Sequence, residues 1–290
     1  CFIYYSMFGF QRFGDFAWAA GDMRCRGFMF GVISGRTTLA GEGLQHQDGH
    51  NHVLANTIPN CVSYDPCYAY EVAVIIQDGL RRMVQDCENV YYYVTLCNET
   101  YAHPAMPKGV EADILKGLYL LHETKGHQVQ LIGSGTILRE VEAAADLLEK
   151  DFGVKANVWS ATSFNLLGRE LHDVERWNRL HPDKKPKTSY VEDCFASQKG
   201  PVVAATDSIK IYADQIRKAI KKSYYVLGTD GFGRSDTREA LRAHFEVDRY
   251  HVVVAALKAL QDEGKLKATV VKKAIKQYGI DSDQINPIDA

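Results

Sequence analysis

The sequence lacks an excess of charge of either sign. Its 290 residues include 34 Lys and Arg and 36 Asp and Glu, so the formal net charge is −2. Such a balance provides no strongly positive surface for nucleic-acid phosphates or an anionic membrane. No apolar run approaches the roughly 18 residues needed to cross a bilayer. We therefore expect a soluble, cytoplasmic protein with no nucleic-acid partner and no membrane partner.

Paired cysteine motifs are also missing. The seven cysteines are an odd number, and no two of them have CxxC spacing. This pattern excludes a disulfide-rich secreted scaffold and favours reduced thiols. Cys61 and Cys67 lie near a predicted strand end, where either a reactive thiol or a buried packing role is possible. The sequence shows no base beside them, which favours packing.

A change of composition near HPAMPKG, residues 103–109, predicts a domain boundary. Six of the seven cysteines precede Gly109, whereas lysine becomes common only after it. The length also favours two domains, because single cores rarely grow far beyond about 250 residues. We predict one domain over 1–108 and another over 109–290. Since the chain begins at Cys1, directly in the aromatic run FIYYSMFGF, we interpret it as a piece of a longer polypeptide.

Short apolar strands alternate with helical patterns in both parts. The first part has predicted strands at GFMFGVISG, NCVSYD and VYYYVTL, and predicted helices at QRFGDFAWAAGDMR and AYEVAVIIQDGLRRM. The second part has predicted strands at VQLIGSG, ANVWSATS and PVVAATD, and predicted helices at TILREVEAAADLLEKDF, FNLLGRELHDVERWNRL, IKIYADQIRKAI and TREALRAHF, with Asp236 as the cap of the last helix. Two more helical segments end the chain. This alternation predicts two α/β domains with largely parallel sheets.

The segment GEGLQHQDGHNH, residues 41–52, carries the densest titratable chemistry of the chain. It follows a predicted strand, where α/β sheets place their ligand sites. His46, His50 and His52 can be read as metal ligands with Glu42 or Asp48, although Gly49 weakens the helix that an i, i+4 histidine pair needs. A plain surface turn is a second interpretation. In a third, Glu42 and His46 are acid/base groups that point the same way on a coiled backbone.

Several motifs resemble one known family. The stretches YYSMFGFQR, SGRTTLAGEGLQHQDGHNH, TIPNCVSYDP, YAYEVAVIIQDGLRRM and LGTDGFGRSDTREALR are similar to the homodimeric pyruvate dehydrogenase component, a thiamine-diphosphate enzyme. The resemblance extends from Cys1 to Ala290. It implies that residues 1–108 are the later part of a pyrimidine-binding domain and that 109–290 form a transketolase C-terminal-like domain. It also implies a homodimer that decarboxylates pyruvate and passes the acetyl group to the lipoyl domain of dihydrolipoyl acetyltransferase.

The resemblance also implies roles for four residues. Tyr5 and Phe8 match cofactor-binding positions beside the aminopyrimidine of thiamine diphosphate, and stacking on an aromatic ring suits a flat heterocycle. His46 matches a catalytic position that binds the pyruvate carboxylate or moves protons, with Glu42 as its partner. From the residues alone, Tyr5 and Phe8 fit core packing at a helix start equally well.

One expected motif does not occur in the chain. The family binds Mg²⁺ and the diphosphate through GDG followed some 25 to 30 residues later by paired asparagines, and neither is present. The glutamate that activates the aminopyrimidine is also expected upstream of Cys1. We therefore expect no metal ligands in this chain and poor cofactor binding by it alone. The alternative function is a non-catalytic α/β dimerisation or docking module whose histidine-rich loop is structural.

Overall fold

The first of two sheets is wholly parallel. The computed structural model of the protein describes residues 1–5, 8–40 and 43–290. Four strands among these residues form this sheet in the order β1-β2-β4-β3. Its elements are β1 (Phe2–Tyr5), α1 (Phe10–Asp22), β2 (Phe28–Val32), α2 (Asn51–Asn56), β3 (Cys61–Tyr64), α3 (Ala69–Leu80) and β4 (Tyr91–Leu96), and a π-helical turn, Arg81–Gln85, continues α3.

The second sheet is parallel except at one edge. Its five described strands have the order β5-β7-β6-β8-β9, and only β5 runs antiparallel to its neighbour. Its elements are α4 (Glu111–Lys116), β5 (Leu118–His122), β6 (Val129–Gly133), α5 (Ile137–Phe152), β7 (Ala156–Ala161), α6 (Phe164–Leu180), α7 (Tyr190–Ala196), β8 (Val202–Ala205), α8 (Ile211–Asp214), β9 (Tyr224–Leu227), α9 (Arg238–His244), α10 (Arg249–Asp262) and α11 (Ala268–Gln277).

These two sheets confirm the predicted fold class of two α/β domains with largely parallel sheets. The segment 97–110, which joins β4 to α4, contains neither helix nor strand. The boundary that we predicted between residues 108 and 109 lies within it, and its position stays a prediction. Since strand and helix alternate on each side, each sheet is covered by its own helices.

Helix α5 illustrates how the sequence produces these layers. Its residues Ile137, Val141, Ala144 and Leu148 are buried and recur every three or four positions, so one face packs on the sheet. The helix ends at Gly153, whose φ of +66° is a conformation that favours glycine. Within the described ranges, no helix is both long enough and apolar enough to cross a membrane.

Two local predictions were wrong. The helix predicted over residues 209–220 is broken into α8 and a short 3₁₀ turn. There the side-chain Nε2 of Gln215 donates to the backbone carbonyl of Tyr212 at 2.9 Å. In a continuous helix this carbonyl would accept from the backbone N–H of Ile216. The cap of α9 is Thr237, whose hydroxyl accepts from the Ala240 N–H at 3.2 Å, whereas Asp236 accepts from the N–H of Thr237.

A buried seam joins the two domains. Arg169 on α6 donates to the backbone carbonyls of Asn56, Ile58 and Cys61, at 2.8 to 3.1 Å. A guanidinium suits this position because its planar fork serves several acceptors at once, including carbonyls at the end of α2. Helix α6 of the second domain is therefore held against the segment between α2 and β3 of the first.

Candidate active site

The carboxyl ends of the two sheets meet in a buried polar network. Asp65, which follows β3, accepts from the Thr95 hydroxyl of β4 at 2.6 Å and from the Ser134 hydroxyl at 3.0 Å. Ser134 follows β6, and its hydroxyl lies 2.9 Å from the hydroxyl oxygen of Thr206, which follows β8. All four side chains are buried. The position that α/β sheets use for ligand sites thus lies at the junction of both domains.

The loop after β2 brings His46 to the aromatic pair near the amino terminus. The centroid of the His46 ring lies 5.5 Å from that of Tyr5 and 5.2 Å from that of Phe8, which it meets edge to face. Tyr5 and Phe8 are 6.2 Å apart. Tyr5 is 40% exposed, which leaves part of its ring available for contact with another molecule. The structure therefore brings together three of the four side chains for which we predicted roles.

Glu42, the fourth predicted residue, lies outside the described residues. His46 itself belongs to a single 3₁₀ turn over Leu44–His46 that begins after Gly43. Within this turn the His46 N–H donates to the Gly43 carbonyl at 3.0 Å. The pairing of Glu42 with His46 stays a prediction, as do the roles of Tyr5, Phe8 and His46.

The other polar residues of the loop have structural contacts. The Asp48 carboxylate accepts from the backbone N–H groups of His50 and Asn51 at 3.0 and 3.1 Å, at the start of α2. The Nε2 of His50 lies 2.7 Å from the Gln11 Oε1 on α1. A carboxylate beside the first N–H groups of a helix stabilises that helix end. Asp48 and His50 thus fasten the loop to its neighbours.

His52 is fully enclosed between the domains. Its ring stacks on Tyr212 at 4.8 Å, its other neighbour Tyr93 lies 5.2 Å away, and its Nε2 is 3.0 Å from the Thr95 Oγ1. Burial lowers the pKa of His52, so the imidazole is neutral at neutral pH. Among the described residues, no group of three His, Cys, Asp or Glu side chains is arranged to hold a metal ion.

Side chains on both sides fasten the loop after β2 to the second domain. The buried Arg36 guanidinium donates to the carbonyls of Thr229 and Gly231 beyond β9. The N–H of Thr37 donates to the Asp207 carboxylate at 3.2 Å, and Arg238 donates to the carbonyl of Thr38 at 2.6 Å. Gln47 also bonds to the backbone of Arg234. The loop is consequently supported by the domain to which it does not belong.

Sequence reasoning missed these supporting residues. These side chains are polar and lie in loops that follow strands, which is the available signal, although the strand β9 before Arg234 and Arg238 was not itself predicted. The partners are far apart in the sequence: Thr37 and Asp207 are separated by 170 positions, and Gln47 and Arg234 by 187. No local pattern indicates which strand ends will face each other.

Asp207 is a buried acid of this region whose pKa is strongly shifted. Burial raises the pKa of Asp207 to about 7, although the nearby Arg242 guanidinium favours its charged form. Arg242 also bonds to Glu140 at 3.2 Å and to Glu99. Asp207 thus changes charge near neutral pH, at the base of the loop that carries His46.

The two cysteines considered for reactivity are buried, which confirms the packing interpretation. Burial raises the pKa of Cys61 to about 12 and raises that of Cys67 well above its usual range. Since the thiolate is the nucleophile, both groups are inert at neutral pH.

Two family models match the chain. Residues 1–104 match the pyruvate dehydrogenase E1 component middle domain, and residues 117–248 match the transketolase-like TK C-terminal domain. The pyruvate dehydrogenase E1 components of Pseudomonas aeruginosa and Escherichia coli strain K12 are 61% and 56% identical to it. Each alignment covers 99% of this chain but 33% and 32% of those relatives. The chain therefore spans about a third of the length of the curated relatives it matches.

Solved structures of transketolases have a similar fold. A transketolase from Campylobacter jejuni matches with a TM-score of 0.67 at 19% identity, over 88% of this chain and 35% of that protein. A split-gene transketolase, described as an inactive β4 tetramer, matches with a TM-score of 0.62 at 16% identity, over 89% of this chain and 75% of that one. At such identities the likeness concerns the fold alone.

Proposed function

The chain belongs to the family of the pyruvate dehydrogenase E1 component, and on that premise we propose that it is the later part of such an enzyme. The proposed enzyme decarboxylates pyruvate and passes the acetyl group to a lipoyl group on an acyltransferase partner. The observation that carries this proposal is the contact of the His46 ring with Tyr5 and Phe8. These side chains meet beside the junction of two sheets, where the fold places chemistry.

Tyr5 and Phe8 are the proposed wall for the aminopyrimidine ring of thiamine diphosphate. Their rings are angled by 63° and one of them is partly exposed, which leaves an aromatic surface for a flat heterocycle. The guanidinium of Arg12 lies 5.1 Å from the centroid of Phe8. When bound, the cofactor supplies the carbanion chemistry of decarboxylation, while the protein supplies binding, orientation and electrostatics.

His46 is the proposed group that binds the pyruvate carboxylate or moves a proton beside it. An imidazole suits both tasks, since it donates a hydrogen bond in either protonation state and can accept or release a proton. The aromatic rings of Tyr5 and Phe8 exclude water from two of its sides. Glu42 is the proposed partner of His46.

The anchor for the diphosphate is proposed to lie elsewhere in the full-length protein. Magnesium that binds a diphosphate needs oxygen ligands, and no cluster of three or more acidic or other metal-binding side chains occurs in the described ranges. We propose that this chain supplies the ring end of the cofactor site and that its diphosphate end is supplied elsewhere. A chain of this extent is proposed to be inactive alone, because it spans about a third of the length of its relatives.

The proposed setting is a homodimer in the cytoplasm that works with a lipoyl domain of dihydrolipoyl acetyltransferase. Support comes from the relatives, which are named as E1 components and thus as parts of a multi-enzyme complex. A balanced net charge of −2 fits a protein that binds partners through local surfaces rather than through a large field.

The test compares this chain with the full-length protein. We expect thiamine diphosphate and Mg²⁺ to bind the full-length protein, measured by calorimetry, and to bind this chain at least about 100-fold more weakly. Pyruvate-dependent reductive acetylation of a lipoyl domain should occur only with the full-length protein. A full-length protein that dimerises but neither binds the cofactor nor turns over pyruvate would overturn the proposal in favour of a docking module.

A further inference from the structure

We propose that Gln47 is a positioning residue for His46, which it holds in place by clamping the backbone of Arg234. This inference rests on the proposed function, because it assigns Gln47 a role in the reaction that His46 serves. It concerns one side chain of the first domain and one peptide segment of the second, which no local sequence pattern connects.

The geometry of the turn makes Gln47 the first anchor after His46. The 3₁₀ turn closes with the Gln47 N–H donating to the Leu44 carbonyl at 3.2 Å. Gln47 itself is extended, with φ −91° and ψ 103°, so the chain leaves the turn at this residue. Only 1% of Gln47 is exposed. Any movement of Gln47 is therefore passed directly to the imidazole one residue earlier.

Both polar atoms of the Gln47 carboxamide form hydrogen bonds with the backbone of Arg234. The Arg234 N–H donates to Oε1 at 2.6 Å, while Nε2 donates to the carbonyl of Arg234. A bidentate contact of this kind fixes the orientation of the side chain as well as its distance. It also satisfies a backbone donor and a backbone acceptor that a loop on a sheet edge would otherwise leave to solvent.

The neighbouring Gly233 permits this close approach. A Cβ atom at Gly233 would lie 2.5 Å from the Gln47 Oε1 and 3.0 Å from the Leu44 carbonyl oxygen. The first distance is shorter than a Cβ contact allows and the second is tight, so a side chain at this position would displace the Gln47 carboxamide. The same contact can thus be disturbed from either loop.

The loop beyond β9, which contains Arg234, does not depend on Gln47 for its own position. Arg36 donates to the carbonyls of Thr229 and Gly231 in that loop. Removal of the Gln47 carboxamide should therefore loosen the turn of His46 and leave the loop beyond β9 in place. This makes Gln47 a residue that acts through His46 rather than a general support of the fold.

The experiment uses the full-length enzyme and a double-mutant cycle. We expect Gln47→Ala to lower kcat about tenfold, since a displacement near 1 Å can cost up to 10²-fold, with KM for pyruvate and thiamine-diphosphate affinity changed by less than about twofold. In a His46→Ala background, Gln47→Ala should cause no further loss. Gln47→Glu keeps the acceptor for the Arg234 N–H and should recover part of the rate. Gln45→Ala, an exposed glutamine of the same turn, is the matched control with unchanged kcat.

Each outcome bears on one hypothesis. If His46→Ala is impaired and Gln47→Ala is fully active, or if the two losses add, the positioning role is overturned and the proposed function stands. If His46→Ala keeps full turnover, the proposed role of His46 fails. Hydrogen exchange then tests the contact between Gln47 and Arg234 directly. The backbone amide of Arg234 should exchange faster in Gln47→Ala, and an unchanged exchange rate overturns the inference. Should Gln47→Ala fail to fold, Gly233→Ala and Gln47→Glu provide the same tests.

Discussion

The imidazole of His52 stacks on the ring of Tyr212 with 4.8 Å between their centroids, so a histidine of the first domain packs against a side chain in the core of the second. Both side chains are buried, and Tyr93 covers another side of the imidazole. One histidine of the segment 41–52 is thus a packing residue, and its contact with Tyr212 links that segment to the second domain.

Replacing Tyr212 by alanine should destabilise the protein by about 3 to 5 kcal/mol, because the loss of a buried aromatic ring removes apolar contacts and leaves a cavity. Tyr212→Phe keeps the ring that stacks on His52 and should cost less than about 1 kcal/mol. Urea unfolding followed by circular dichroism measures both. Equal costs for the two variants would contradict the stacking role.

Replacing Arg169 by lysine should destabilise the protein. Its guanidinium serves three carbonyls across the domain seam, and a lysine ammonium cannot reproduce that planar fork. We expect Arg169→Lys to lower the free energy of unfolding by about 2 to 3 kcal/mol, since these part-buried carbonyls lose a charged donor. Arg176→Lys, on the exposed side of the same helix, is the control and should stay within about 0.5 kcal/mol.

Asp207 should make the protein less stable as the pH rises toward 7. Its folded pKa, raised by burial to about 7, exceeds the unfolded value of 3.8, so the folded state binds more protons between these values. Its contribution to stability is complete below pH 3.8 and is lost as pH rises through 7. Asp207→Asn should therefore raise stability at pH 8, by a few kcal/mol at most, and flatten this part of the profile.

The difference between Asp207→Asn and the unaltered protein isolates this effect. His52 acts in the opposite sense, because burial lowers its pKa and stability is lost as the pH falls. Unfolding midpoints at pH 5, 6, 7 and 8 should show a difference that grows with pH. Asp173→Asn, at an exposed position of α6, controls for the loss of one charge. An equal difference at every pH would refute the assignment.

His46→Ala in the full-length enzyme should reduce turnover of pyruvate by about 100-fold or more, the usual contribution of acid–base catalysis, with cofactor affinity nearly unchanged. Steady-state kinetics and calorimetry measure the two quantities. His50→Ala is the matched control, since the His50 ring contacts Gln11 on α1 and lacks the aromatic pair. Unchanged turnover in His46→Ala would remove this residue from the site.

The regular part of the fold follows from local patterns. Helices α5 and α6 were predicted from their apolar periodicity, and the strands β2, β3, β4, β6, β7 and β8 from their short apolar runs. Strand β1 was missed, because Phe2 and Ile3 are both exposed and show no alternation. Strand β5 was missed because its antiparallel pairing depends on β7 and not on its own sequence.

The site was predictable only in part. The position of residues 41–52 after a strand predicted a ligand loop there, the resemblance assigned roles to His46, Tyr5 and Phe8, and these three side chains do lie in contact. The partners across the seam, such as Gln47 with Arg234, depend on how two sheets face each other. That relation belongs to tertiary packing, so it has no signature within a sequence window.

The outer strand β1 has a practical consequence for preparing the chain alone. Within the described part of the chain, β1 pairs only with β2, and Phe2, Ile3 and the α1 side chains of Phe16 and Trp18 are more than half exposed. An exposed edge strand beside exposed apolar side chains can pair with further copies of the chain. The apparent molecular mass of the purified chain in light scattering should therefore increase with concentration. Charged substitutions at Ile3 and Phe16 should keep the chain monodisperse.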